Sequence, residues 1–254
     1  MPDKTEYIAV FDSGVGGISV LRELLRVMPE ERYLYFGDSA NAPYGTRSTE
    51  QVRALTLAAA EKLMDRGIKA LVVACNTATA AAIVQLRQRY PETVVIGIEP
   101  ALKLAADNFP QGRVGVLATP LTLREEKFAH LAERFPAMQV SAIPLPGLVE
   151  LIENGASPEA VEAFLDPILT PYAGKLDAVV LGCTHYPLVA ETIGKLLGTE
   201  TVLLDGGKGT ALHTRRRLAQ AELLYDGPGE ILIESSADDP EKIRLARRLM
   251  GENI

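Results

Sequence analysis

The sequence lacks the features that would mark a membrane, secreted or nucleic-acid-binding protein. No apolar run approaches the ~20 residues a membrane-spanning helix needs. Met1 to Glu6 carry charge where a secretion signal would lead into an apolar stretch, so a cytoplasmic protein with no membrane partner is expected. Cysteine is scarce: Cys75 and Cys183 are the only two. They make no CxxC redox pair, have no further cysteines to build a zinc site, and in a reducing compartment are not expected to form a structural disulfide. Reactivity or plain burial remain as their uses. A basic excess is missing too, with 26 Lys and Arg against 33 Asp and Glu and a formal charge of −7. A nucleic-acid partner is therefore not expected, because such surfaces cluster Lys and Arg. Arg215, Arg216 and Arg217 are too short a run to reverse this and read as a solvated helix face. There is no Gly/Ser-rich or Pro-rich tract and no visible internal repeat, which argues against linkers and solenoids.

What is present is an ordinary globular composition, 47% hydrophobic and 23% charged over 254 residues, enough for one large or two modest α/β domains. Short runs rich in Val, Ile and Leu read as buried strands: Tyr7 to Phe11, Tyr33 to Phe36, Ala70 to Ala74, Val94 to Ile98, Val114 to Ala118, Val140 to Ile143, Ala178 to Leu181 and Val202 to Leu204. Helical spacing falls between them, over Ile18 to Met28, Thr49 to Arg66, Leu123 to Phe135, Pro158 to Tyr172 and Ala211 to Leu223. This alternation predicts βαβ units and mainly parallel sheets.

Two segments share one grammar. LVVACNTAT at Leu71 to Thr79 and VVLGCTHYP at Val179 to Pro187 each run from an apolar strand through a small residue to Cys, then to small polar residues able to start a helix. Each thiol then sits at the carboxyl end of a strand, where open α/β sheets place their ligands. A lone cysteine there is most often a small buried hydrophobe; two in matching frames favour chemistry. A free thiol has a pKa of about 8.5, so a helix N-terminus or a nearby donor is needed to raise its reactive fraction.

FDSGVGG at Phe11 to Gly17 leaves a strand through a polar pair and a glycine turn, where backbone N–H groups can approach an anion. It fails the dinucleotide pattern, because Ser19 stands in the place of the last glycine, and DGGKGT at Asp205 to Thr210 fails the P-loop pattern. GDSANAPYGTRS at Gly37 to Ser48 is a turn-rich segment whose polar side chains serve either a ligand or the loop's own backbone. His185, two residues beyond a thiol, can exchange protons with it or with a substrate. His130 and His213 lie in amphipathic helical patterns and read as surface or packing residues. Asp12 is the matching candidate near the first thiol, its alternative being an N-cap for a helix beginning near Gly17.

In order along the chain, DSGVGG, GDSANAPYG, ACNTAT and GCTHYP resemble the signature of the glutamate racemase family, within the wider aspartate/glutamate racemase group. PLPGLVELIENG at Pro144 to Gly155 is similar to a fifth block and would carry that block's active-site glutamate onto Glu153. The resemblance implies an α/β fold of two similar domains with mainly parallel sheets flanked by helices and an active site in the interdomain cleft. Residues 1–97 plus 207–254 would form one domain and 98–206 the other. It implies that Cys75 takes the proton from the D-isomer and Cys183 from the L-isomer, with Asp12 and His185 assisting. Asp12, Ser13, Tyr44, Gly45, Asn76, Thr77, Thr184 and His185 would hold the substrate, L- or D-glutamate. The chain departs from the family at Asp205-Gly206-Gly207, where a hydroxyl is common, which leaves Asp205 without a role.

An amino-acid α-proton is a very weak acid, and many enzymes answer with an electron sink such as PLP. Nothing here specifies a PLP lysine or a metal site, so a cofactor-independent reaction with a thiol on each face of the α-carbon is expected. The assembly is left open, a homodimer included. Two enzyme rivals stand beside this reading: a racemase of another acidic amino acid such as aspartate, and a Cys-His-Asp hydrolase using Cys183, His185 and Asp12, which leaves Cys75 without a job. A binding module without turnover is the third.

Overall fold

The computed structural model describes residues 2–98, 101–124 and 134–251. The chain divides into two compact units, Met1–Ile98 with Gly207–Ile254, and Glu99–Gly206. Each is an α/β layer structure with its own parallel sheet, as the alternation of strands and helices predicts.

In the first unit the strands are β1 (Tyr7–Asp12), β2 (Arg32–Gly37), β3 (Ile68–Val73), β4 (Val94–Gly97) and β9 (Glu230–Ser235), in the order β4-β3-β1-β2-β9. All neighbours are parallel. All six residues of β3 are buried, as a central strand covered on both faces requires. The flanking helices are α1 (Ile18–Val27), α2 (Thr49–Met64), α3 (Asn76–Arg89), α9 (Gly207–Gln220) and α10 (Pro240–Met250). Ser48 starts α2 with a capping box: Gln51 N–H donates to Ser48 Oγ at 3.3 Å and the Ser48 N–H donates to Gln51 Oε1 at 3.1 Å. One core, built from Ile8, Val10, Leu21, Tyr33, Val72 and Ile96 among others, also takes in Ala211 and Leu218 of α9 and Leu245 of α10.

In the second unit the order is β6 (Gln139–Pro144), β5 (Arg113–Ala118), β7 (Ala178–Leu181) and β8 (Val202–Leu204), again all parallel. Its described helices are α4 (Leu102–Asn108), α5 (Pro120–Arg124), α6 (Leu148–Glu153), α7 (Pro158–Leu169) and α8 (Ala190–Leu197). Ser157 caps α7, with Pro158 in its first turn. Two apolar clusters cover the two faces of the sheet, one with Leu165, Leu169 and Ile193, the other with Leu102, Ala105 and Val116.

All eight expected strands are present, most of them longer by a residue or two. Four expectations need qualification. β9 is an additional strand, disguised by Glu230 and Glu234, whose carboxylates pair with Arg32 and Arg66 at the sheet edge. The helix expected from Ala211 begins at Gly207, because packing against α1 and β4 outweighs the low helix propensity of Gly207 and Gly209. The helix expected over Leu123 to Phe135 is described only as far as Arg124, and residues 125–133, with His130, lie outside the described residues. After Cys183 the chain makes a short 3-10 turn, Tyr186–Val189, before α8, so only Cys75 leads directly into an α-helix.

Candidate active site

In the first unit the polar residues gather at the carboxyl ends of β1, β2 and β3. The register sets Asp12 level with Gly37, and Ala74 N–H donates to Phe11 O at 2.8 Å, so Ser13 and Cys75 emerge side by side. Asp12 is fully buried and its Oδ2 accepts from Gly14 N–H at 3.1 Å. It does not cap the following helix; Gly17 stands at that position and makes no side-chain cap bond. The turn has no room for side chains. A Cβ on Gly17 would lie 2.6 Å from Asp12 Cβ, and one on Gly37 would lie 2.5 Å from Gly14 O. The buried Tyr35 hydroxyl donates to that same carbonyl at 2.6 Å.

Cys75 is the N-cap of α3, and Ala78 N–H donates to its sulfur at 3.4 Å. That position favours a thiolate, because the first N–H groups of the helix point at the sulfur. Ser13 Oγ lies 3.6 Å from Cys75 Sγ. Asn76 and Thr77, the first two residues of α3, are also buried, and Asn76 Oδ1 is the one buried side-chain acceptor without a hydrogen-bond partner among the described residues. Buried polar atoms are seldom left so, and an acceptor of this kind fits a ligand's N–H. Tyr44, also buried, gives its hydroxyl to Asp38 Oδ2 at 2.6 Å; burial, and then that carboxylate, push the phenol well above its usual pKa. Gly45 is buried beside it.

In the second unit Cys183 lies just beyond β7, with Thr184 and His185 buried after it. Cys183 Sγ is 3.7 Å from His185 Nδ1, and His185 Nε2 is 2.7 Å from Oε1 of Glu153, the last residue of α6. Burial alone would favour neutral imidazole. Hydrogen bonds to Cys183 and Glu153 outweigh it and raise His185 well above the ordinary 6.5. The group can thus hold a proton for the sulfur. A glutamate reached through a different element, rather than Asp12, is the carboxylate seen on His185.

Asp12, Ser13 and Cys75 thus share one sheet end, and Glu153, His185 and Cys183 another. His213 lies on α9, its pKa held down by burial and then by Arg216, Arg217 and Arg87. Two features escaped sequence reasoning. Tyr35 reads as core inside a strand. Thr119 and Thr122, buried just past β5 with their hydroxyl oxygens 3.0 Å apart, carry no motif beyond their place after a strand. Among the described residues no three of His, Cys, Asp and Glu come together as metal ligands would, and no helix is long and apolar enough to cross a membrane.

The sequence pattern of the Asp/Glu/Hydantoin racemase family matches residues 13–213. A glutamate racemase of Clostridium botulinum (strain Alaska E43 / Type E3) is 45% identical, over 98% of this chain and 99% of its own length. Among solved structures, a glutamate racemase isoform of Bacillus anthracis superposes with a TM-score of 0.87 at 33% identity, covering 98% of this chain and 95% of that one. The Escherichia coli glutamate racemase, solved with L-glutamate and an activator, gives 0.84 at 32% identity, covering 96% and 95%. The chain belongs to the Asp/Glu/Hydantoin racemase family and, within it, to the glutamate racemases.

Proposed function

We propose that this protein interconverts L-glutamate and D-glutamate by moving the α-proton between two thiols, Cys75 and Cys183, without a cofactor. The observation that carries the reading is the pair of buried cysteines, each at the carboxyl end of a parallel strand and each beside a group able to assist proton transfer, in a chain whose full-length relatives are glutamate racemases. In one direction the Cys183 thiolate takes the proton from the α-carbon of the L-isomer while the Cys75 thiol gives one to the opposite face. The reverse reaction uses Cys75 as base and Cys183 as acid, so each sulfur alternates between charged and neutral forms. This requires both sheet ends to meet around one substrate.

His185, held by Glu153, serves the sulfur of Cys183; Ser13, Asp12 and the start of α3 serve Cys75. The Asn76 Oδ1 acceptor suits the substrate ammonium group, while Ser13, Thr77, Thr184 and the Tyr44–Gly45 segment bind the carboxylates. With the Tyr44 hydroxyl committed to Asp38, its segment offers the ligand main-chain N–H groups. Such fixed donors stabilise the developing carbanion without reorganising. A supply of D-glutamate for peptidoglycan precursors, made in the cytoplasm, is the role that follows. Chiral chromatography of L-glutamate incubated with the purified protein, with no added PLP or metal, tests the reaction: conversion to a mixture of both isomers is expected, and L-glutamate recovered unchanged would refute it.

A further inference from the structure

Asp38 is a buried acid that the proton-transfer scheme leaves without a role. It follows β2 directly and stands only 5% exposed. Its main chain and its side chain face different partners. The backbone N–H donates to Asp12 O at 2.9 Å, which fastens it to the end of β1. The carboxylate takes the Tyr44 hydroxyl at 2.6 Å on Oδ2, and the Asn41 Nδ2 group stands 3.1 Å from both oxygens. Asn41 in turn accepts Arg47 Nε–H on its backbone oxygen at 3.0 Å. The Tyr44 ring also packs against Phe11 of β1, centroids 6.4 Å apart. A buried carboxylate is costly unless its oxygens are matched by donors, and the printed donors here all come from the loop that follows it. The loop cannot shift without breaking bonds to a charged acceptor, which are stronger than neutral ones.

We infer that Asp38 is a positioning residue that ties the substrate-binding Tyr44–Gly45 segment to the strand end carrying Asp12. The inference deepens the racemase reading and rests on it. Asp38 takes no part in proton transfer; it sets where the loop's main-chain groups meet the unreacting part of glutamate. Contacts of that kind are made equally in the bound substrate and in the transition state, so their loss raises KM and leaves kcat nearly alone.

Steady-state racemisation in both directions by Asp38→Asn, Tyr44→Phe and the double variant tests this. Wild-type enzyme is assayed first, so that failure of the racemase reading itself is seen separately as absence of turnover. Each single substitution is expected to raise KM for both isomers roughly tenfold, the loss of one charge-assisted hydrogen bond, with kcat within about threefold of wild type. The double variant is expected to match the single ones rather than multiply them, because both remove the same bond. A fall in kcat at unchanged KM in Asp38→Asn would place the acid in the chemistry and overturn the inference, as would multiplicative KM changes or none. If Asp38→Asn fails to fold, Tyr44→Phe still decides: unchanged KM rules the contact out.

Discussion

A sulfur that exchanges a proton with carbon must be easy to ionise yet willing to accept the proton back. The two thiols meet that demand by different means: Cys75 through the N-terminus of a 14-residue helix, Cys183 through an imidazole backed by a carboxylate. Each is expected to be indispensable. Cys75→Ser and Cys183→Ser should each lower racemisation at least a hundredfold, the contribution typical of one positioned acid or base. A hydrolase built on Cys183, His185 and Glu153 would tolerate Cys75→Ser, so a fully active Cys75→Ser protein would favour that rival. The His185–Glu153 contact also carries a pH signature. His185 is raised above 6.5 in the folded chain, so its contribution to stability is complete below that pH and is lost as pH rises through the higher folded value. Melting temperatures of wild type and Glu153→Gln should therefore differ most near pH 6 and converge in alkali; a gap that widens with pH would contradict the pairing. The thiols, His185 and Asp12 were legible in the sequence because their types are rare or sit at strand ends. Glu153 was visible only through family resemblance, since a glutamate near the end of a helix looks like any solvated one until the fold brings His185 to it.

At the scale of elements, parallel strands announce themselves because burial on both faces demands unbroken apolar runs, as in β3 and β7. β9 breaks that rule. Its acids are satisfied by Arg32, Tyr7 and Arg66, residues that the chain places far away, so no local pattern could reveal the strand. The same holds for Lys69 and Glu31, a fully buried ion pair at 2.5 Å that no periodicity foretells. Lys69 also donates to Lys4 O at 2.6 Å, and Glu31 Oε1 accepts Tyr225 N–H at 3.0 Å, so the pair fastens the start of β3 to the N-terminal segment and to the chain leaving α9. Burial pulls the Lys69 pKa down against the attraction of Glu31. Glu31→Leu should cost about 3–5 kcal/mol in urea unfolding, because it strands an ammonium group without its counter-ion. Replacing both residues with apolar ones should recover much of that. Ser48→Ala, by contrast, should cost about 1 kcal/mol, the worth of a helix cap.

For the whole molecule, the division of the chain makes its own prediction. Glu99–Gly206 is one continuous stretch with a complete parallel sheet and apolar clusters on both faces. Expressed alone, it should fold cooperatively by circular dichroism and leave glutamate unconverted, since it carries Cys183 without Cys75. Racemisation by this fragment would refute the two-thiol scheme. The other unit is assembled from two distant stretches, with β9 laid along β2 and α9 along α1 only after everything between has been made. During synthesis, then, β2 waits with one edge bare while more than half of the protein emerges. A chain cut short after residue 206 would keep both sulfurs yet leave Arg32 and Arg66 without Glu230 and Glu234, and the Ile8–Val72 core open on the side that Ala211, Leu218 and Leu245 fill. Prematurely ended copies are thereby marked by an unzipped sheet, exposed to proteases and chaperones before they can turn over substrate.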